Sequence, residues 1–201
     1  MGKLVLLRHS QSIWNLENKF TGWVDINLSK YGFLEAVKVG KKLINIKFNY
    51  LFTSILKRSI KTGDIILKTI SQFDLLTIRD KALNERNYGD LQGLNKNYIE
   101  KKYGVDKVYS WRRSYNVRPP NGESLRDTYL RVIPFYCDKV IPCLNGDSNV
   151  LLIAHGNSLR SLVKYIENLN DKEIVTVDIK AMNPIVYEVN SEIKVIKKNI
   201  L

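Results

Sequence analysis

Four short apolar runs constrain the fold more than any other feature of this 201-residue chain. They are "KLVLLR" (3–8), "YLFTS" (50–54), "LLTIR" (75–79) and "NVLLIA" (149–154). None of them alternates apolar with polar residues, so none suits a sheet with one wet face. Near-continuous apolar strands belong in a sheet covered on both sides, as parallel sheets are. The stretches between them carry helical periodicity. One helix is expected from an N-cap at Ser29 to about residue 46, a second over 57–70, a third after Ser124 and a fourth over 157–169. Pro134 should kink the third. The final "PIVYEVNSEIKVIKKNI" reads as a hairpin turning at Asn190-Ser191. No repeat, linker or low-complexity tract interrupts the pattern. The expectation is one α/β domain of three layers, a mostly parallel sheet flanked by helices, with a C-terminal hairpin.

In open α/β sheets, ligands bind outside the carboxyl ends of the strands. The chain has only two histidines, and each directly follows a predicted strand: His9 in "LVLLRHS" and His155 in "NVLLIAHGN". If those strands are neighbours, the imidazoles face each other. Ser54, Lys57 and Arg58 follow a third strand and should join the same rim. The strand ends and the loops after them also offer Arg8, Asn15, Thr21, Gly22, Glu85, Arg86, Tyr88, Lys96, Arg112, Arg113, Gly156 and Asn157. No Asp/Glu/His cluster has metal-ligand spacing, which argues against a catalytic metal. Neither a P-loop nor a dinucleotide fingerprint is present. Two imidazoles, several arginines and one candidate acid remain. Guanidinium forks match phosphate oxygens, backbone amides after a strand add donors, and a neutral imidazole can carry a phosphoryl group. Phosphoryl transfer through a phosphohistidine is the chemistry these residue types suggest.

The formal net charge of +12 admits three partners: nucleic acid, an anionic membrane or a small, highly anionic substrate. No apolar run approaches the ~20 residues of a membrane span. The N-terminal run is too short for a signal peptide and is cut by Arg8. Leu6 stands where a myristoylation signal needs Ser or Thr. Cys137 and Cys143, six apart in a helical stretch, sit about 240° apart around the axis, which is poor geometry for a bridge. Unpaired cysteines suit a reducing cytosol, and a cytoplasmic protein is expected.

The blocks "LLRHSQSIWNLENKFTGWVDINLSKYG", "SILKRSIKT", "LNERNYGDLQGLNK", "WRRSYNVRPP" and "AHGNSLRSLVKY" together resemble the cofactor-dependent phosphoglycerate mutases of the histidine phosphatase superfamily. The match runs from residue 3 to about 190. The resemblance implies one phosphoglycerate mutase-like domain over 1–201. It further implies interconversion of 3-phosphoglycerate and 2-phosphoglycerate in glycolysis and gluconeogenesis, without metal. His9 would be the nucleophile, primed by 2,3-bisphosphoglycerate. Glu85 would be the general acid and base, and His155 would stabilise the phosphoryl group in transfer. Arg8, Arg58, Asn15 and Asn157 would hold that group. Thr21, Gly22, Arg86, Tyr88, Lys96, Arg112 and Arg113 would hold the carboxylate and second phosphate. The partners implied are small phosphoglycerates, with no nucleic acid and no membrane.

The sequence departs from the family pattern in three places. Ser10-Gln11 replaces the usual Gly-Glu, which adds a side chain where backbone should approach phosphate. "RPPNGESLRD" is shorter than in long members, whose extra loop lies near subunit contacts, so a monomer or weak homodimer is expected. The chain ends at Leu201 without a long polar tail, and more phosphate is expected to leak to water than in long-tailed members. Two other readings stay open on the residues alone: a phosphohistidine phosphatase of the same fold, favoured by "NGESL", and a nucleic-acid-binding protein, favoured by the charge.

Overall fold

The apolar runs become neighbours in one sheet, as their double-sided burial requires. The computed structural model describes residues 1–201. Strands β1 (Gly2–Arg8), β2 (Tyr50–Thr53), β3 (Leu76–Arg79), β4 (Asn149–Ala154), β5 (Ile185–Val189) and β6 (Val195–Ile200) lie in the order β3-β2-β4-β1-β5-β6. The first four in chain order are parallel. β5 runs antiparallel to β1, and β6 antiparallel to β5. The closing hairpin turns over 190–194, where Asn190 Oδ1 accepts from the Glu192 and Lys194 amides at 3.1 and 2.9 Å.

Successive side chains of a strand point to opposite faces, so an unbroken apolar run feeds two cores. Leu4, Leu6, Val150 and Leu152 pack on one face with Val132, Leu159 and Leu162. Those partners come from α6 (Leu125–Phe135) and α7 (Gly156–Ile166). Val5, Leu7, Leu151 and Ile153 pack on the other with Val39, Leu43 and Ile66. Those belong to α2 (Lys30–Leu43) and α3 (Lys57–Thr69). Burial of each such side chain favours folding by about 1.5–3 kcal/mol.

Local signals account for the helix starts. Ser29 caps α2 by accepting from the Gly32 amide at 3.0 Å, and Ser124 caps α6 through the Asp127 amide at 3.1 Å. Helices α2, α3 and α7 end at Leu43, Thr69 and Ile166, short of the expected 46, 70 and 169. Pro134 does not end α6. The helix continues to Phe135, and the next turn, Tyr136–Val140, widens to π spacing before a 3₁₀ turn at Ile141–Leu144. A proline without N–H, crowding the carbonyl four residues back, disturbs the regular ladder near that point.

Four helices have no counterpart in the sequence reading, and the longer two are α4 (Lys96–Tyr103) and α5 (Val105–Arg113). Charged residues dominate both, and only Ile99, Val108 and Trp111 are buried. Together with Phe20 and Leu91 these form a third, small core, with Tyr88 packed against it. Two further short helices, α1 (Ile13–Leu16) and α8 (Glu173–Thr176), complete the chain.

The N-terminus of α2 presses on the loop that follows β1. A Cβ on Gly32 would lie 2.1 Å from the Gln11 carbonyl oxygen. That contact is backbone against backbone and has little room to relax. Gly32→Ala is therefore expected to lower stability by about 1–3 kcal/mol in urea unfolding. Lys38→Ala on the exposed side of the same helix should stay within about 0.5 kcal/mol.

Candidate active site

The register of β1 on β4 places the two histidines together. Arg8 pairs with Ala154, and the His9 amide donates to the Ala154 carbonyl at 3.0 Å, one residue past the strand. The imidazole centroids lie 4.9 Å apart, with the rings tilted by 58°. His9 Nδ1 sits 2.7 Å from the Ser10 carbonyl oxygen. A carbonyl only accepts, so Nδ1 carries the proton and Nε2 keeps the lone pair. Burial, then the Arg58 and Arg8 guanidiniums, push the His9 pKa well below 6.5, against the opposing bond to Ser10. His155 is fully buried; its Nε2 lies 2.7 Å from Ser54 Oγ, while Nδ1 has no partner. Its pKa is also held well below 6.5, chiefly by burial and then by Arg58.

Cations dominate the cleft in front of His9. Arg8, Lys19, Arg58, Lys96, Arg112, Arg113 and Arg160 line it, against two carboxylates, Glu85 and Asp178. Arg58, 1% exposed, donates to the Gly22 and Val24 carbonyls at 2.7 and 2.9 Å. Burial lowers its pKa to about 10, so it stays charged at neutral pH. Three lining residues carry a buried polar atom without a protein partner: Thr21 Oγ1, Arg58 Nε and Arg160 Nε. Asn15 Oδ1 is taken by the Ser12 amide and hydroxyl at 3.1 and 2.9 Å, which leaves its NH₂ free of that cap. Gly22 has φ +55°, and a Cβ there would lie 2.0 Å from Gln92 Oε1. That oxygen already accepts from the Trp23 amide at 2.7 Å, so the turn has no room for a side chain.

Glu85 lines the same cleft as His9 from a loop without regular structure. Its Oε1 accepts from the Arg86 amide (2.8 Å), the Asn157 amide (3.1 Å) and Asn157 Nδ2 (3.0 Å). Oε2 takes no hydrogen bond from the protein and lies on the Gly156 side, near Arg8. One oxygen is anchored and the other is free to exchange a proton. Tyr88 OH receives donors from Arg86 at 3.0 Å and Asn157 at 3.3 Å. Burial raises the phenol's pKa, but the Arg86 charge and these bonds outweigh it and the net shift is downward.

The structure thus gathers Arg8, His9, Asn15, Thr21, Gly22, Arg58, Glu85, Tyr88, Lys96, Arg112, Arg113, Gly156 and Asn157 around one cleft. His155 lies beside His9, fully buried, and is not among the residues lining that cleft. Arg86 is also displaced from its expected place. It is fully buried, stacked over the Tyr88 ring at 4.7 Å, and donates to the Arg112 carbonyl at 2.8 Å. Lys57 turns away to pair with Asp25 at 3.5 Å. The concern over Ser10 finds a local answer. Ser10 is buried off the cleft, with its amide donating to Thr62 Oγ1 at 3.1 Å.

The family model of the histidine phosphatase superfamily (branch 1) matches residues 4–198. The chain is 49% identical over 200 residues to the 2,3-bisphosphoglycerate-dependent phosphoglycerate mutase of Bartonella henselae, covering 98% of this chain and 97% of that protein. It is 48% identical over 202 residues to the protein of the same name from Rhizobium meliloti, covering 100% and 96%. The chain belongs to the 2,3-bisphosphoglycerate-dependent phosphoglycerate mutase family.

Solved structures agree on the fold of this family. A mycobacterial glucosyl-3-phosphoglycerate phosphatase complexed with VO₃ superposes with a TM-score of 0.85 at 24% identity, over 98% of this chain and 96% of that one. Bacillus stearothermophilus YhfR gives 0.80 at 22%, over 94% and 92%. Among the residues that line the cleft, sequence reasoning overlooked Lys19, Arg160 and Asp178. Arg160 had a readable signal, because it lies three residues after Asn157 on α7, a helical spacing that puts the two side chains together. It donates to Asn157 Oδ1 at 3.1 Å and so turns that amide's NH₂ toward Glu85. Asp178 pairs with Arg113 at 3.3 Å and Glu100 with Arg112 at 3.2 Å, contacts with no local signature.

Burial of two neutral imidazoles makes stability depend on pH. Unfolded, both titrate near 6.5. Folded, both pKa values lie well below that. Below about pH 6.5 the unfolded chain binds protons that the folded chain does not, so stability falls with pH. The slope is up to about 1.4 kcal/mol per pH unit for each histidine, and above 6.5 the contribution is fully present. Urea unfolding at pH 7 and 5.5 is expected to show this loss. His155→Gln should about halve it, leaving the His9 part, and an undiminished slope in that variant would exclude His155 as a source.

Proposed function

We propose that His9 and Glu85 carry out the family's reaction in this chain, the interconversion of 3-phosphoglycerate and 2-phosphoglycerate through a phosphohistidine. The free Nε2 of His9, held neutral beneath a cluster of guanidiniums, is the observation that carries this reading. When bound, 2,3-bisphosphoglycerate supplies the phosphoryl group that primes His9. The residues present fit such a ligand. Two phosphates and a carboxylate carry about five negative charges, and the cleft sets seven cations against two carboxylates, with three orphaned polar atoms on its lining residues.

His9 Nε2 forms the bond to phosphorus, and Nδ1–H to Ser10 holds the tautomer. Arg8, Arg58, Asn15 and the Gly156 and Asn157 end of α7 hold the phosphoryl oxygens. Ser54 donates to His155 Nε2, which leaves Nδ1–H as a donor beside the transferring group. Glu85 Oε2 takes the proton of the substrate hydroxyl as that oxygen attacks phosphorus and the N–P bond breaks. It returns the proton to the ester oxygen that departs when His9 attacks in the other half-reaction. Thr21, Gly22, Tyr88, Lys96, Arg112 and Arg113 hold the carboxylate and second phosphate, with Arg86 supporting Tyr88 from behind. The positive charge that a metal ion would bring comes from guanidiniums, so the reaction runs without metal.

A monomer or weak homodimer is the state proposed for this chain, on the short "RPPNGESLRD" segment. The whole of 1–201 acts as one domain, since strands from both ends of the chain build the one sheet. Its partners are small phosphoglycerates, with neither nucleic acid nor membrane, and no helix is long and apolar enough to cross a membrane. Two free cysteines, Cys137 and Cys143, favour the cytoplasm.

Incubation with labelled bisphosphoglycerate is expected to give stoichiometric, acid-labile label on the wild type and none on His9→Ala. Glu85→Gln should lower mutase turnover by about 10²–10⁴-fold while changing KM little. Label on His9→Ala, or near-normal turnover in Glu85→Gln, would defeat the assignment of that residue.

A further inference from the structure

Arg131 lies on α6, outside the cleft lining, and nothing above gives it a part in the chemistry. Its guanidinium nevertheless has all five N–H donors engaged. Nη1 donates to the carbonyls of Ala82 (2.7 Å) and Asn84 (3.0 Å), and Nη2 to that of Glu85 (2.9 Å). Nε and Nη2 each meet the Glu123 carboxylate at 2.9 Å. Glu123 in turn accepts from the Asn87 amide at 2.8 Å. The Trp23 indole N–H donates to the same Glu85 carbonyl at 2.6 Å, and the Arg131 guanidinium sits 5.6 Å from the Trp23 ring centroid.

The Glu85 carbonyl therefore has two donors fixed on it. Its peptide is planar and trans, so the C=O and the following N–H point in opposite directions. Pinning the carbonyl toward Arg131 and Trp23 points the Arg86 amide the other way, and there it donates to Glu85's own Oε1 at 2.8 Å. We propose that Arg131, seconded by Trp23, is a positioning residue for Glu85: it sets the plane of the Glu85–Arg86 peptide, and the amide of that peptide holds the carboxylate on the reacting oxygen. The proposal rests on the reading of Glu85 as the proton-transfer group.

A purely structural Arg131 would, when lost, slow every reaction of the cleft alike. A positioning residue slows only steps that need Glu85's proton. Attack of His9 on bisphosphoglycerate expels an alkoxide that must be protonated as it leaves. With 4-nitrophenyl phosphate the same N–P bond forms and the P–O bond breaks, but 4-nitrophenolate departs with its electron pair unaided.

The test compares Arg131→Met, Trp23→Phe and Glu85→Gln with the wild type. Each is read for mutase kcat and KM, for the rate of His9 labelling by bisphosphoglycerate, and for the nitrophenolate burst. Arg131→Met is expected to lower kcat and the bisphosphoglycerate labelling rate by about 10–100-fold, with KM and the burst rate within about 3-fold. Trp23→Phe, which removes only the indole donor from a side chain 40% exposed, should move the same quantities in the same direction by less. It also carries the test if Arg131→Met does not fold. Equal losses on both phosphate donors, or a KM effect as large as the kcat effect, would overturn the positioning role. So would unchanged kcat in both variants. If Glu85→Gln itself slows both donors equally, the fault lies with Glu85 as proton donor; selective loss in Glu85→Gln without it in Arg131→Met refutes Arg131 alone.

Discussion

The parallel pairing of β1 with β4 is the constraint on which the histidine pair and the cleft around it depend. Its register is fixed by burial on both faces, because Leu4 and Leu6 belong to one core while Val5 and Leu7 belong to the other. A slip of one residue would exchange the two sets and drive every side chain into the wrong layer. The same register puts Arg8 opposite Ala154 and therefore His9 beside His155. Strand spacing in a sheet is about 4.8 Å, and the imidazole centroids lie 4.9 Å apart. The distance between the two histidines is in effect the distance between two neighbouring strands.

Burying guanidiniums is costly unless their donors are satisfied. Here backbone carbonyls do much of that work. Arg58 holds Gly22 and Val24, Arg86 holds Arg112, and Arg160 holds Arg113 and Ile174. A carbonyl satisfies a donor without cancelling the positive charge, whereas a carboxylate would do both. The field on His9 and His155 thus stays positive, which helps keep both imidazoles neutral. The arginines also act as struts that tie separate loops to one cleft. Lysine, with a single point of charge and no planar fork, would not hold two carbonyls at the fixed spacing of a guanidinium.

Much of the site was legible because its residues sit where local patterns end. His9, Arg58 and the His155–Asn157 segment each follow an apolar run, and that position is visible without any tertiary information. The loop acid Glu85 and the wall formed by Lys96, Arg112 and Arg113 were placed through family resemblance, since no periodicity marks them. Arg86 shows the limit of that route. It sits within a matching block, yet its side chain turns inward behind Tyr88. Arg131 had no signal at all: it is one charged residue on a helix, and three of the four residues it holds, Ala82, Asn84 and Glu85, lie 46–49 positions away in the chain.

The sequence by itself determined the strands, the main helices with their caps, and the position of both histidines at strand ends. These follow from side-chain periodicity and from hydrogen-bonding groups within a few residues of each other. Only the tertiary structure decided the strand order, which makes neighbours of two strands from opposite ends of the chain. It alone revealed α4 and α5, whose few apolar residues acquire meaning only on meeting Phe20 and Leu91. It also set the aim of Glu85, because a loop carboxylate takes its direction from donors on other elements: the Asn157 amide on α7, the Arg131 fork on α6 and the Trp23 indole. Local periodicity carries no information about contacts of that range.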